Sequence, residues 1–184
     1  MARHGRLHVA LALGQGSAYR MSGRFLITGL PRSRTAWWAV CTGAFHEPIS
    51  LHGPGWISEW QDGEGVSDSG AAPYLPYILK TLAPRTLIIE RPRTEVVASL
   101  VRYFARPDLE RQIDALLAPY LRGISVENPL VRRLPYSGLS DLATVEEALD
   151  WLGCERPANL AQLMHFNIQA DPRYILALVQ ERAA

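Results

Sequence analysis

The segment Gly29-Leu30-Pro31-Arg32-Ser33-Arg34-Thr35 has the composition of an anion-binding turn. It follows an apolar run at 24–28 that reads as a buried strand, and a short helix is expected after it. In such a turn the backbone N–H groups converge on an anion at the helix N-terminus. The arginine adds a charged donor, and the serine and threonine add hydroxyls. An ordinary strand–helix turn with exposed arginines is the simpler alternative.

Arg91 and Ser99 form a second anion-binding candidate after the clearest predicted strand, at 86–90. Helical residues 94–99 rise only about 7.5 Å, so one phosphate could contact both the guanidinium and the hydroxyl. Arg93 is a further candidate. A solvated arginine and a serine on the helix surface would explain the same pattern without a ligand.

His46 and Glu47 are candidates for a general base. A helix at 35–42 descends about 12 Å, and five extended residues climb about 16 Å, which returns Glu47 to the level of the first turn. Glutamate needs tight orientation to act as a base near neutral pH. Histidine titrates closer to neutral pH. Alternation along a strand, however, is expected to turn His46 to the face opposite Glu47.

The alternation of strand and helix patterns predicts an α/β fold, a three-layer parallel sheet with helices on both faces. In such sheets ligands bind at the carboxyl ends of the strands, where both candidate sites lie. Segment 51–70 is rich in Gly, Ser, Asp and Trp, and is expected to be a loop or a mobile lid, with 63–67 the part most able to extend. Strands are predicted at 24–28, 45–49, 86–90 and 131–134, and helices at 35–42, 74–82, 94–104, 109–121, 145–152 and 174–180, the helix at 109–121 with Ile113, Leu116, Leu117 and Tyr120 on its apolar side.

The length of 184 residues predicts one α/β domain at 21–184, with residues 1–20 as an extension outside it. Nineteen basic against eighteen acidic side chains give a net charge of +1, so no overall field favours nucleic acid or a membrane as partner. No apolar run approaches the roughly 18 residues of a membrane helix. Two cysteines, Cys41 and Cys154, favour a reducing, cytoplasmic location. No acidic residue precedes Glu47, whereas six arginines do, which favours an anionic ligand near the N-terminal quarter.

These motifs together resemble the sulfotransferases that use 3′-phosphoadenosine 5′-phosphosulfate. GLPRSRTAW is similar to the family's 5′-phosphosulfate loop, x-P-[KR]-S-G-T-[TS]-W. RPRTEVVAS resembles its 3′-phosphate motif, R-x-P-[KR]-[DE]-x-x-x-S, with one residue rearranged around the proline and the Arg-to-Ser interval of eight kept. VRRLPYSGL, followed by TVEEALDWLG, resembles its later strand–tyrosine segment and helix. The resemblance covers most of 24–153 and is closest to small bacterial and phage members.

The resemblance implies a P-loop nucleoside-triphosphate-hydrolase-like fold and transfer of a sulfuryl group to a hydroxyl, without a metal. Arg32 would contact the transferred group and the bridging oxygen. The loop amides and hydroxyls would hold the 5′-phosphate, Trp37 would stack on adenine, and Tyr136 would flank the base. Packing of the first helix on the sheet is the alternative for the tryptophan. The donor site implied is Gly29, Pro31, Arg32, Ser33, Arg34, Thr35, Ala36, Trp37, Arg91, Ser99 and Tyr136.

Two departures from the family pattern concern the donor site. Arg34 stands where the loop usually has glycine, and no C-terminal R-K-G segment completes the nucleotide site, for which Arg173 is a substitute candidate. Some members place a catalytic glutamate near the position of Glu47, and others a catalytic histidine near that of Asp68. The base candidates are therefore Glu47 first, then His46 and Asp68.

Two other functions are compatible with the sequence. A small-molecule P-loop kinase would need a lysine in the G-x-x-x-x-G-K-[ST] loop and a magnesium-binding aspartate at a strand end, and only Asp68 is available for the latter. A non-catalytic nucleotide-binding protein derived from a sulfotransferase would keep donor binding without turnover. The acceptor, a small molecule or a glycan hydroxyl, and the oligomeric state have no distinctive pattern, and no metal-ligand spacing is evident.

Overall fold

The computed structural model describes residues 23–166. Its strands are β1 (Phe25–Gly29), β2 (Phe45–His46), β3 (Gly65–Ser67), β4 (Arg85–Glu90) and β5 (Val131–Pro135). They form one all-parallel sheet in the order β2-β3-β1-β4-β5, which confirms the predicted parallel α/β architecture. The predicted helix at 174–180, Arg173 and the extension at 1–20 lie outside the described residues.

Helices pack on both faces of this sheet. They are α1 (Thr35–Thr42), α2 (Pro48–His52), α3 (Leu75–Thr81), α4 (Arg93–Phe104), α5 (Glu110–Leu116), α6 (Ala118–Ile124), α7 (Leu142–Leu152) and α8 (Leu160–Leu163), with 3-10 helices at Pro54–Glu59, Ser69–Tyr74, Pro107–Leu109 and Tyr136–Ser140. Alternation along β1 directs Phe25 and Ile27 to the face covered by α1, α7 and α8. Leu26 faces α2 and α3 on the other side.

A third apolar cluster fixes α4 at the carboxyl end of the sheet. Leu30, at the end of β1, packs with Val96 and Val97 of α4 and with Ile113 and Leu117 from the following helices. Each of these five side chains is at least nine-tenths buried. This cluster therefore holds the helix that carries Ser99 against the turn that carries Arg32.

Two local expectations, the strand at 45–49 and the helix at 109–121, were wrong, and the expectation for 51–70 was confirmed in part. The strand predicted at 45–49 stops at His46 because Pro48 begins α2. In the segment predicted as a loop or lid at 51–70, β3 forms within the part expected to extend, 3-10 helices occupy Pro54–Glu59 and begin again at Ser69, and Trp60 is 2% exposed in the core. The helix predicted at 109–121 divides into α5 and α6 just before Pro119, since proline cannot donate the helical hydrogen bond. The break leaves Leu116, expected on the apolar side, 69% exposed.

Candidate functional site

The turns after β1 and β4 lie side by side because the two strands pair closely at their carboxyl ends. Gly29 pairs with Ile89, and a Cβ at Gly29 would lie 2.6 Å from the Ile89 carbonyl oxygen. Glycine is thus required here by the approach of the strands. The β1 strand is central, with β3 on one side and β4 on the other, so its end is the switch point at which open α/β sheets bind ligands.

The turn after β1 has an unusual backbone. Arg32 has φ 69° and Arg34 has φ 64°, whereas Ser33 between them is not among the positive-φ residues. Left-handed conformations are uncommon for arginine, and alternation of this kind turns successive N–H groups into an anion-binding concavity. The turn leads directly into α1, whose N-terminus favours negative charge.

Ser33 adds an independent indication of a ligand in this turn. Its side chain is fully buried, and its hydroxyl has no hydrogen-bond partner among the described residues. An unpaired buried hydroxyl costs free energy unless a ligand or water satisfies it. The turn therefore fits an anionic group with oxygen atoms, such as a phosphate.

A cavity of about 440 Å³ lies next to the turn and is strongly cationic. Its lining comprises Arg32, Arg91, Ser99, Arg102 and Tyr103. The Arg32 Nε lies 3.4 Å from the Ser99 Oγ, which joins the turn after β1 to α4. Three guanidinium groups and a hydroxyl are the groups that bind a phosphate monoester.

Aromatic rings hold two of these guanidinium groups in place. Arg91 Cζ lies 4.4 Å from the centroid of the Tyr136 ring, and Arg32 Cζ lies 4.8 Å from that of Tyr103. Such contacts orient a guanidinium without consuming its N–H donors. Tyr136, expected to flank the adenine, thus contacts Arg91 directly.

Arg102 and Tyr103 line the cavity but were missed in the sequence. They lie three and four residues after Ser99, on the same side of α4. The S-x-x-R spacing was a usable signal for Arg102. By contrast Arg93, which the sequence suggested, forms an ion pair with Asp114 on α5 instead of lining the cavity.

His46 and Glu47 lie together rather than on opposite faces. His46 Nε2 is 3.8 Å from Glu47 Oε1, and the Thr35 hydroxyl donates to the same oxygen at 3.2 Å. The expectation of opposite faces was wrong because Glu47 has φ 51° and has left the strand conformation. The two side chains are about one-third exposed, so the pair is accessible beside the first residue of α1.

Asp68, the third base candidate, is fully buried and saturated with hydrogen bonds. Its Oδ2 accepts from the backbone N–H groups of Ile49 at 2.6 Å and Ser50 at 3.0 Å. Its Oδ1 accepts from the Ser50 hydroxyl at 2.6 Å and from the Gly70 N–H at 2.7 Å. The carboxylate therefore joins α2 to the turn after β3, and this arrangement leaves no exposed oxygen to receive a substrate proton.

Trp37 lies in the core and not in the cavity. It is fully buried, its indole N–H donates to the Leu163 carbonyl oxygen at 2.8 Å, and it packs edge-on against Trp38. No face of the ring is open to an adenine in this arrangement, which corresponds to the packing alternative. Arg34 lies along the same helix, with Cζ 5.9 Å from the Trp37 ring. Pro31 and Ala36 are half-buried on either side of the turn.

Tyr120 of α6, which the sequence predicted on the apolar side of its helix, has a phenol with a perturbed pKa. Burial raises the pKa of its phenol, and the charges of Asp68 and Glu47 raise it further. The phenol therefore stays protonated at neutral pH and lies within the field of Glu47. As the apolar pattern predicted, Tyr120 packs against the cluster around Leu30.

Neither a protein-family model nor a curated protein matches this chain. In the part of the chain that the structure describes, no helix is long and apolar enough to cross a membrane. Over the same residues, 23–166, no group of three or more His, Cys, Asp or Glu side chains could hold a metal ion.

Proposed function

We propose that the protein is a sulfotransferase that moves a sulfuryl group from 3′-phosphoadenosine 5′-phosphosulfate to a hydroxyl of a small-molecule or glycan acceptor. The observation that carries the proposal is the pairing of two anion sites on neighbouring strands. The turn after β1 has an anion-binding backbone, and the cavity after β4 contains Arg91, Ser99 and Arg102. Arg32 belongs to both.

This pairing suits a nucleotide that carries phosphate at two separate positions. In ATP all of the phosphates extend from the 5′ position, so a second cationic cavity would have no phosphate to bind. A nucleotide with a 3′-phosphate has one anion for each site. The resemblance to sulfotransferases and the P-loop-like assignment of the fold rest on the same strand–turn–helix and on the Arg91–Ser99 interval.

The proposed reaction needs in-line positioning, charge stabilisation and a base. The acceptor oxygen forms a bond to sulfur while the bond from sulfur to the bridging oxygen breaks. The electron pair of that bond stays on the leaving 5′-phosphate, and adenosine 3′,5′-bisphosphate departs. By analogy with phosphoryl transfer, negative charge develops on the leaving group, where the amides of the turn and Arg32 would stabilise it.

Glu47 is the proposed acceptor of the hydroxyl proton. Its carboxylate is oriented by the Thr35 hydroxyl and lies beside His46, which can pass the proton on to solvent. The buried Asp68 is not proposed for this role.

The proposal is tested by calorimetric titration with adenosine 3′,5′-bisphosphate, with ADP and with ATP plus magnesium in parallel. We expect the bisphosphate to bind tightest, and Arg91→Ala and Arg102→Ala each to weaken it by about 10- to 100-fold, since a charged hydrogen bond contributes roughly 1.5–3 kcal/mol. Arg93→Ala is the matched control, because Arg93 lies on α4, as Arg102 does, but is paired with Asp114.

Binding of ATP with magnesium but not of the bisphosphate would overturn the proposal in favour of a kinase. If the bisphosphate binds, transfer of labelled sulfate from the donor to a panel of phenols and sugars is the next assay. Binding without turnover on any acceptor class, lipid-linked glycans and protein hydroxyls included, would favour the non-catalytic alternative. Loss of turnover in Glu47→Gln with unchanged bisphosphate affinity would support the assignment of the base.

A further inference from the structure

Arg91 makes three contacts that together fix its guanidinium. Its side chain is only 11% exposed, its Nε lies 3.4 Å from Glu95 Oε2, and its Cζ lies over the Tyr136 ring. The third contact crosses to the other turn, where Nη1 donates to the carbonyl oxygen of Arg32 at 2.6 Å. Arg91 thus lines the cavity and is also hydrogen-bonded to the backbone of the anion-binding turn.

This contact sets the orientation of a peptide group in that turn. The Arg32 carbonyl and the Ser33 N–H belong to one planar trans peptide unit and point in opposite directions. Because the Arg91 guanidinium holds the Arg32 carbonyl oxygen towards itself, the Ser33 N–H points away from Arg91. Arg32 and Arg34, the residues on either side of Ser33, have φ 69° and φ 64°, a conformation that persists only when surrounding contacts impose it.

We infer that Arg91 is a positioning residue for the 5′ side of the nucleotide, in addition to any contact with the 3′-phosphate. Its hydrogen bond to the Arg32 carbonyl holds the turn in its anion-binding conformation, so that the two anion sites are energetically coupled. The inference rests on the proposed function for the identity of the nucleotide, but the effect on the turn does not depend on it.

Adenosine 5′-monophosphate distinguishes the two roles, because it has no 3′-phosphate. We expect Arg91→Ala to lower affinity for both the monophosphate and adenosine 3′,5′-bisphosphate, the former by about tenfold as a charge-assisted hydrogen bond is lost. Arg102→Ala should weaken the bisphosphate and change monophosphate affinity by less than about twofold. Arg102→Ala removes an equal charge from the cavity and so controls for loss of charge alone.

Amide hydrogen exchange of the full-length protein supplies a second readout that needs no ligand. A peptide covering residues 29–37 should exchange faster in Arg91→Ala than in wild type, and at the wild-type rate in Arg102→Ala. The inference is overturned if Arg91→Ala binds the monophosphate like wild type and leaves exchange in that peptide unchanged. If wild type binds neither nucleotide, the proposed function fails while the exchange result still decides the role of Arg91.

Discussion

Replacement of Asp68 by asparagine separates a structural carboxylate from a catalytic one. Asp68 is fully buried and accepts four hydrogen bonds, two on each oxygen. An amide keeps only one acceptor oxygen, so one pair of donors must face an NH₂ group. The least costly orientation places that group beside Ser50, whose hydroxyl can rotate to accept, and leaves the Gly70 N–H with the Ser50 hydroxyl, 3.2 Å away, as its remaining acceptor.

The expected cost follows from these contacts. Loss of the Gly70 hydrogen bond to the carboxylate costs up to about 3 kcal/mol, because the Ser50 hydroxyl remains as an acceptor, and conversion of the two remaining charged hydrogen bonds to neutral ones costs about 1 kcal/mol each. Asp68→Asn should therefore lower the free energy of unfolding by roughly 2–5 kcal/mol. Ser50→Ala removes one of the four contacts and should cost about 1 kcal/mol. Asp62→Asn, an exposed carboxylate 3.4 Å from Arg24, should cost under about 1 kcal/mol.

Urea denaturation at neutral pH measures all three variants, with the midpoint and the slope fitted separately. We expect the loss in the free energy of unfolding to be largest for Asp68→Asn, smaller for Ser50→Ala and smallest for Asp62→Asn. Full stability of Asp68→Asn, to within about 0.5 kcal/mol of wild type, combined with loss of turnover would refute the structural account and restore Asp68 as the base.

Three further predictions concern buried side chains. Trp37→Phe should lower the free energy of unfolding by about 1–3 kcal/mol, because the Leu163 carbonyl loses its hydrogen-bond donor. Affinity for adenosine 3′,5′-bisphosphate should stay within about twofold of wild type. A tenfold loss of that affinity at full stability would show that the indole stacks on the nucleotide. Burial raises the pKa of Cys41 and of Cys154 to about 12, so in native protein at pH 8 both thiols should react with Ellman's reagent far more slowly than in urea, and equal rates would contradict their burial. The Tyr120 phenol has a pKa raised in the folded state, so its contribution to stability is complete below the ordinary tyrosine value and is lost as pH rises through the higher folded value. Wild type should therefore lose more thermal stability than Tyr120→Phe between pH 9 and 11, and identical losses would contradict the shift.

Local patterns in the sequence predicted much of the frame that carries the site. The apolar runs of β1 and β4, the Gly–Pro turn after β1 and the proline before α4 each act over a few residues, so their conformations follow from neighbours in the chain. The interval between Arg91 and Ser99 places both at one strand–helix junction. The rule that parallel strands end at one edge of the sheet placed both turns at that edge, whereas their adjacency came from the pairing of β1 with β4.

The roles of individual side chains depended on partners far away in the chain. Trp37 is buried because Leu163 of α8, 126 residues later, covers α1 and accepts its N–H. Backbone N–H groups of α2 donate hydrogen bonds to the Asp68 carboxylate, so that it cannot accept a substrate proton. Arg91 donates to the carbonyl oxygen of Arg32, which lies 59 residues earlier in the chain. Such contacts leave no periodic signal, because they are set by how the layers pack.

The sequence by itself determined that two arginine-bearing turns follow strands of a parallel sheet, since strand, turn and helix propensities are short-range. Only the tertiary structure decided which side chains enter the cavity between the turns. It brought Arg102 and Tyr103 into the cavity, placed His46 beside Glu47 through a positive φ, and excluded Trp37 and Arg93. The reason is that burial and hydrogen-bond satisfaction are properties of the packed layers, which a single segment of sequence does not contain.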